Sequence, residues 1–549
     1  MRNSASRLVA LVLGTLVLRM IWASSIGLGT DESYHYLYTV HQDLSYFDHP
    51  PMMALVAEIG PRLLGGATSA PAVRLGFILL FAGSTILMAR LTASFHGERA
   101  GLIAAAILNI TAYYTAAAGA FVLPDGPLLF FWLLTLERFA AAIREPERPG
   151  RWLGVGLAWG CAMLSKYHAI LLLPGIAAFL CIEPGTRRAL WRNKRGPLLA
   201  LLTGLIVFSP VLIWNAEHGW ASFLFQGGRA VNSGGLKFRP EGPLAALGGP
   251  IAYLLPWIWL PLIGILIREL WRIPAGMFQP AQDHAEIGRR LFTATAIVPI
   301  GLFLVIACIK PILPHWSLIG YACLIPLLGL AWGSSPVKPG FRLASMGGAA
   351  IVFAFIFWIQ TQTGIAQKTL LQGMDWFPSL AQNPQVKALT TPSKAAVDPS
   401  LDSFGWDEVA RELERRGLLD RSGTFLFTGN WRDSGQLGYA ARHSKTPVLC
   451  YNANDARGFA FWSRSTDWLN QDGILVSMDE KLNEPGGFRA WFTNIEPICD
   501  RVLERSGVPA RRMRIFLCRN QKLAFPFDRA YGGGVVSRIA ATAGETSHR

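Results

Sequence analysis

The run 8-LVALVLGTLVLRMIWASS-25 decides the fold class, because it is apolar almost throughout and contains a single charged residue. At about 1.5 Å per helical residue, a run of this length approaches the roughly 30 Å thickness of the hydrocarbon core of a bilayer. Arg2 and Arg7 precede it, as basic residues also precede a secretory signal. Because no convincing small-residue cleavage site follows it, we expect a retained signal anchor that forms the first transmembrane helix.

Similar runs recur to about residue 360 and then stop. Of the 549 residues, 51% are hydrophobic and 16% are charged, which is more apolar surface than a soluble fold of this size could bury. The sequence therefore predicts a polytopic α-helical membrane protein with about eleven transmembrane helices. The predicted spans are residues 8–25, 72–90, 100–118, 124–142, 152–165, 167–182, 197–214, 249–267, 291–308, 316–332 and 343–360.

The basic residues predict the orientation of these spans. The formal net charge is +15, but most of the lysines and arginines fall in alternate short loops, as the positive-inside rule requires, so a nucleic-acid-binding function is excluded. The spans 152–165 and 167–182 share the break 165-SKYH-168, and a single bent crossing would place the basic cluster 187–195 outside. We therefore expect a hairpin there, a cytoplasmic N-terminus and a C-terminal region outside the membrane.

The C-terminal third has the pattern of an ordinary globular domain. We expect a transmembrane domain at 1–362, a polar linker at 363–400 and a periplasmic α/β domain at 401–549, since helical and strand patterns alternate there. The predicted elements are helices at 405–419 and 434–442 and strands at 424–429, 446–452, 473–478 and 514–520. A disulfide between Cys499 and Cys518 is one of two open possibilities, the other being free thiols.

With this topology, five polar clusters share the outer side of the membrane. They are Asp31 and Glu32 with 46-YFDHPP-51, then 123-LPDGP-127, 165-SKYH-168, 214-WNAEHGW-220 and 310-KPILPHW-316. Each cluster also has a purely structural interpretation: helix capping, a proline turn, a lysine that reaches for the interface, or an aromatic anchor. Ionisable groups at the membrane boundary are costly, however, and are usually functional. Five such clusters on one side predict a site that faces outward.

These residue types suit the transfer of a sugar from a lipid-linked donor. Lysine and histidine can hold a phosphate, a carboxylate can act as a general base on a hydroxyl, and tryptophan and tyrosine suit a sugar face. The sequence has no G-x-x-x-x-G-K-[ST] motif for ATP, so the energy must arrive with the substrate, as it does in a polyprenyl phosphate sugar. We predict no cofactor and no essential metal, because lysines can neutralise a single phosphate.

Several of these motifs resemble one known family. They are 31-DE-32, 46-YFDHPP-51, 124-PDGPLLFFW-132, 164-LSKYHAILLLPG-175 and 314-PHW-316, with weaker likeness at 405-GW-406 and 471-QDGILV-476. The chain resembles the bacterial branch of the protein O-mannosyltransferase and lipid A aminoarabinose transferase superfamily, which are membrane glycosyltransferases of the GT-C fold. The DE pair followed by YFDHPP is the more specific part of the likeness, which covers roughly residues 1–360.

The resemblance implies an inverting transfer of a hexose or pentose from a polyprenyl phosphate to an acceptor at the periplasmic face of a bacterial inner membrane. It implies that Asp31 is the catalytic base, with Glu32 as its neighbour in the motif. The residues expected to bind the donor phosphate or sugar are Asp125, Lys166, His168, Lys310, His315 and Trp316. The residues expected on the acceptor side, or only in a turn, are Tyr46, Asp48 and His49. Since 33-SY-34 replaces the alanine and arginine common in aminoarabinose transferases, their sugar is not carried over.

The acceptor stays open between lipid A or core oligosaccharide, another envelope glycolipid, and a protein. A different class is a transporter or flippase of lipid-linked sugars, in which acids would lie near the middle of the bilayer. A third class is an envelope sensor that binds a ligand through its α/β domain, but this interpretation leaves the acidic first loop unexplained.

Overall fold

The computed structural model describes residues 2–230, 238–276, 279–335, 339–376, 379–382, 398–478 and 483–527. The chain divides into two compact units. The first, called the helical unit here, comprises residues 1–22, 44–65 and 71–350. The second, called the sheet unit, comprises residues 23–43, 66–70 and 351–549.

The helical unit consists of α-helices with short 3-10 turns. Its helices, three of which include residues of the sheet unit, are Arg2–Ser25, Met52–Ala57, Ile59–Leu63, Ala70–His96, Glu98–Ile110, Ala112–Ala116, Asp125–Arg144, Pro149–Ser165, Leu172–Ile182, Pro184–Arg192, Arg195–Glu217, Ala221–Ala230, Glu241–Gly248, Ile251–Leu254, Pro256–Gly276, His284–Ala307, Leu318–Gly333 and Pro339–Thr363. The 3-10 turns are Tyr167–Leu171 and Pro314–Ser317.

The polytopic helical fold is confirmed, but the prediction of about eleven spans was too high. In the described part of the chain, seven helices are long and apolar enough to cross a membrane, or eight if the bent pair Tyr167–Ile182 and Pro184–Arg192 forms one span. Four predicted spans are absent from the seven: 167–182 belongs to the bent pair, and the other three are short or interrupted. The run 100–118 breaks at Thr111, Pro149–Ser165 has only 17 residues, and the run 249–267 breaks at Leu255, whose φ is 66°.

Small residues let the helices of this unit pack closely. A Cβ at Gly156 would clash with the Ala200 carbonyl, and one at Gly204 would clash with the ring of Trp159. The helices Pro149–Ser165 and Arg195–Glu217 therefore touch backbone to backbone, as glycines allow between membrane helices. A buried apolar core that includes Trp132 and Leu136 joins these helices to their neighbours.

The sheet unit contains a mixed five-stranded sheet of order β2-β1-β3-β5-β4. The strands are β1 (Thr424–Thr428), β2 (Val448–Cys450), β3 (Asp472–Met478), β4 (Phe492–Arg505) and β5 (Val508–Gln521). β1 pairs in parallel with β2 and β3, while β5 pairs antiparallel with β3 and β4. The helices of this unit are Thr30–Val40, Ile365–Trp376, Ser379–Gln382, Trp406–Arg415, Trp431–Ala440 and Phe459–Trp462, with 3-10 turns at Pro399–Leu401 and Pro485–Phe488.

The predicted α/β pattern is present, with one strand added. β1 is buried along its whole length, as expected for a central parallel strand. The sequence analysis did not anticipate the edge strand β4, whose side chains are mostly exposed or half-buried and whose sequence includes Pro497. Two parts of the predicted linker, 377–378 and 383–397, lie outside the described residues.

The possible disulfide does not form. All seven cysteines are free. Cys499 and Cys518 lie on neighbouring strands, but Cys499 faces Ile515 while Cys518 faces Ile495. That offset of three residues amounts to about 10 Å along a strand, which is too far for a disulfide.

Candidate active site

Asp125 and Lys166 form a largely buried ion pair in the helical unit. The Lys166 Nζ lies 2.8 Å from Oδ1 and 3.0 Å from Oδ2 of Asp125, and the two side chains are 7% and 16% exposed. Asp125 is the first residue of its helix, and both of its carboxylate oxygens accept from Lys166. Lys166 lies where Pro149–Ser165 ends in extended backbone, so the break at 165–168 turns the lysine toward the carboxylate.

Two tyrosines and a histidine surround this pair. The buried Tyr113 hydroxyl lies beside Asp125 without a well-formed hydrogen bond. The ring of His315 is stacked at 6.4 Å from that of Tyr113, and Tyr253 lies 5.8 Å from Tyr113 and 6.2 Å from His315. His315 therefore belongs to the same group as Asp125 and Lys166.

His168 supplies a polar atom that the protein itself does not satisfy. Among the described residues, its Nε2 is buried and has no hydrogen-bond partner. The imidazole stacks on Phe303 at 5.2 Å and meets the edge of Trp316 at 6.3 Å. It also lies within electrostatic range of Lys166 and His49. A buried ring nitrogen without a partner can receive a hydrogen bond from a ligand or donate one.

The loop 46–51 lies on the helix Ala221–Ala230. Ser222 donates to the Tyr46 carbonyl at 3.1 Å, and the Gln226 amide donates to the Asp48 carbonyl at 2.8 Å. Tyr46 and Asp48 are buried and His49 is half-buried. The two prolines end the turn, and the two hydrogen bonds from the helix fix the backbone of this loop. His49 is thereby placed near His168.

Lys310 contacts the same helix. Its Nζ donates to the carbonyl of Gly228 at 2.8 Å, near the C-terminal end of Ala221–Ala230, where a cation is stabilised by the exposed carbonyls. This contact gives Lys310 a structural role that Lys166 does not share. Of the residues expected to bind the donor, the structure groups Asp125, Lys166, His168, His315 and Trp316 together.

Asp31 and Glu32 lie in the sheet unit and have different environments. Glu32 is buried, and its Oε2 accepts a hydrogen bond of 2.9 Å from the Gly29 N–H, which caps the helix Thr30–Val40. Asp31 is exposed in the first turn of the same helix. Within the described residues, its carboxylate makes no ion pair and no hydrogen bond, so Asp31 is free to accept a proton.

A second carboxylate approaches the start of this helix. Asp402 accepts hydrogen bonds from the backbone N–H of Thr30, at 2.7 Å, and from the Thr30 hydroxyl. Burial raises the pKa of Asp402; the hydrogen bonds from Thr30 oppose that rise, while the charges of Asp31 and Glu32 add to it.

Sequence reasoning missed four residues that shape these two places. Tyr113 and Tyr253 had a weak signal, since 112-AYYTA-116 and 250-PIAYLLPW-257 interrupt apolar runs on the predicted outer side. Asp402 and Gln436 had no signal, because their contacts are made with residues about 400 positions away. Among the described residues, no group of three or more His, Cys, Asp or Glu side chains could hold a metal ion.

Known proteins resemble this chain in sequence and in structure. Residues 48–214 match the family described as dolichyl-phosphate-mannose-protein mannosyltransferase. The lipid A galacturonosyltransferase RgtD of Rhizobium johnstonii is 28% identical over 188 residues, which is 34% of this chain and 38% of that relative. The matched region thus spans well under half of the relative's length.

A solved structure matches almost the whole chain. ArnT from Cupriavidus metallidurans, in a crystal structure bound to undecaprenyl phosphate, superposes with a TM-score of 0.59 and 16% identity over 92% of this chain and 97% of ArnT. The same protein in the apo state gives a TM-score of 0.57. The resemblance inferred from the motifs is therefore confirmed, and the fold of the chain is the one seen in ArnT, the GT-C fold.

Proposed function

We propose that this protein is an inverting glycosyltransferase that moves a sugar from a polyprenyl phosphate to a hydroxyl or phosphate of an envelope acceptor. The observation that carries the proposal is the unengaged carboxylate of Asp31 at the start of a helix that follows the first transmembrane run. A general base must be free to take a proton, and Asp31 meets that condition while Glu32, which caps the helix, does not.

In this reaction the acceptor oxygen attacks C1 of the sugar, and the bond between C1 and the phosphate oxygen breaks. Asp31 takes the proton of the acceptor, and the polyprenyl phosphate leaves with the electron pair of the broken bond. Lys166 and His315 supply positive charge and hydrogen-bond donors for the phosphate, and His168 supplies a further polar contact. The loop 46–51 contributes to the acceptor side.

The acceptor that we propose to test first is lipid A, because the 28%-identical relative is described as a lipid A galacturonosyltransferase. We propose further that the protein lies in a bacterial inner membrane with its N-terminus in the cytoplasm and its C-terminal domain in the periplasm. The transporter alternative is less well supported, since Asp31 and Asp125 are at helix starts and not at mid-helix.

The decisive experiment compares Asp31→Asn with wild type in membranes that contain radiolabelled polyprenyl phosphate sugars. We expect the variant to insert normally and to lose transfer by roughly 100-fold to 10,000-fold, the usual contribution of a general base. Asp43→Asn, which removes another exposed acid from the same segment, is the matched control and should keep its activity.

The acceptor is identified by mass spectra of lipid A from cells with and without the protein. An added sugar names both the donor sugar and the acceptor, while unchanged lipid A redirects the search to other envelope molecules. Full transfer activity in a correctly inserted Asp31→Asn protein would remove Asp31 as the base. Movement of intact donor across liposomes by purified protein would favour the transporter instead.

A further inference from the structure

We infer that Asp402 is a positioning residue for the reaction: it fixes the first turn of the helix Thr30–Val40 and so sets the place of the Asp31 carboxylate. The inference rests on the proposed role of Asp31 as the base. It assigns to Asp402, in the C-terminal part of the chain, a role in catalysis that requires no contact with the reacting atoms.

The contacts of Asp402 flank Asp31 on its N-terminal side. One carboxylate oxygen accepts the Thr30 N–H at 2.7 Å, and the other accepts the Thr30 hydroxyl. The fit is close, since a Cβ added to Gly29 would come within 2.8 Å of the Asp402 carboxylate and one added to Gly27 within 3.1 Å of Ser403. Asp402 thus satisfies a backbone donor in the first turn, where helical donors have no partner in the helix.

Gln436 joins the same segment to Asp402 from the other side. Its amide nitrogen donates to the carbonyls of Leu28 at 3.1 Å and Asp402 at 3.2 Å, and its carbonyl accepts from the Ser33 hydroxyl at 3.2 Å. The side chain is 2% exposed. Residues 28 and 33, on either side of Asp31, are therefore held by one buried amide.

Close packing prevents the helix from sliding or rotating. A Cβ at Gly435 would lie 2.9 Å from the Cα of Tyr34, and one at Gly438 would lie 2.9 Å from the Leu37 side chain. The Tyr34 hydroxyl also accepts the Gly458 N–H at 2.9 Å. The helix Thr30–Val40 therefore lies directly on the helix Trp431–Ala440, and its first turn has one defined place.

A purely stabilising role explains this arrangement less well. A half-buried carboxylate beside two other acids is an expensive way to attach a helix, because burial together with the charges of Asp31 and Glu32 raises the pKa of Asp402. The hydrogen bonds of the Asp402 carboxylate are both made to Thr30, in the turn that carries Asp31, which is where a small displacement affects proton transfer most. A misplacement of about 1 Å can cost about 100-fold in rate.

The experiment uses the full-length protein with membranes that contain radiolabelled polyprenyl phosphate sugars, and it measures apparent kcat, apparent KM for the donor and the thermal unfolding temperature. We expect Asp402→Ala to lower kcat by about tenfold or more while KM changes by less than about twofold. Asp402→Asn, which can still accept from Thr30, should retain kcat within about threefold. Asp500→Ala, at an exposed acid in the same domain, is the control and should leave kcat and KM unchanged.

A second pair of variants tests the positioning role of Asp402 if Asp402→Ala fails to fold. Thr30→Val removes only the hydroxyl and keeps the shape, so we expect kcat to fall by about threefold to tenfold, whereas Thr30→Ser should restore it. Normal kcat in Asp402→Ala and in Thr30→Val, with Asp31→Asn inactive, overturns the inference and leaves the proposed function intact. An active Asp31→Asn overturns the proposed function itself, so the two failures are distinct.

Discussion

Asp125 and Asp31 both begin a helix next to a predicted membrane boundary, but their environments are opposite. Asp125 is largely buried, with 16% of its side chain exposed, and is paired with Lys166 through both of its oxygens. Asp31 is exposed, and within the described residues its carboxylate contacts no cation and no donor. The number of acids in a polar cluster therefore does not predict what each acid does. The ion pair with Lys166 makes Asp125 part of the proposed binding site, whereas Asp31 stays available as a base.

The largest loss of stability is expected when Lys166 is removed from the ion pair. Lys166→Met leaves Asp125 buried without its partner, and breaking one side of a buried ion pair costs about 3–5 kcal/mol. We expect a large drop in the thermal unfolding temperature and in the amount of inserted protein. The measurement is thermal unfolding in detergent together with the yield of folded protein.

The double variant Asp125→Asn, Lys166→Met separates stability from function. It removes both charges, so the unfolding temperature should return close to the wild-type value. Transfer should stay absent, because the proposed donor phosphate loses its cation. Recovery of transfer in the double variant would show that the pair is only structural.

The sequence predicted which polar residues meet in the helical unit but not how they pair. The clusters 123–127, 165–168 and 310–316 each fall between apolar runs on the same predicted side, so their approach follows from topology. Lys166 pairs with Asp125, 41 residues away, because the chain leaves the helix in an extended conformation at residue 166. Topology gives the end of the membrane at which residues lie, whereas pairing needs the packed backbone.

The first loop was predicted less well, for the same physical reason. Helix capping was one interpretation of its acidic residues, but the hydrogen bond from Thr30 to Asp402 spans 372 residues. Local periodicity carries no trace of such a contact. The edge strand β4 could not be predicted either, because its own side chains show little apolar alternation. It forms by pairing with the edge of β5.

A second variant tests how firmly the segment that carries Asp31 is held. His41 ends the helix Thr30–Val40 and stacks on Trp462 at 4.4 Å, and burial lowers the pKa of His41 to about 4. An unfolded histidine has a pKa of about 6.5. The unfolded state therefore binds the proton first, so stability is complete above pH 6.5 and is lost as the pH falls toward 4. The loss is up to about 3 kcal/mol.

His41→Phe keeps the stacked ring and removes the titrating group. We expect its unfolding temperature to change less between pH 7 and pH 4.5 than that of wild type, and we would use the exposed His443→Gln in the same unit as control. An equally steep pH dependence in His41→Phe would mean that another group causes it.

The smallest expected effect separates the two acids of 31-DE-32. Glu32→Ala leaves the Gly29 N–H without its partner and should cost about 1 kcal/mol, as the loss of a helix cap does. Glu32→Gln keeps an acceptor oxygen for that N–H, so we expect near wild-type stability and transfer within about threefold of wild type. The measurement is thermal unfolding and radiolabelled transfer, beside Asp31→Asn. If Glu32→Gln were as inactive as Asp31→Asn in a folded protein, the pair would act together, and the cap seen in the structure would not be the main role of Glu32.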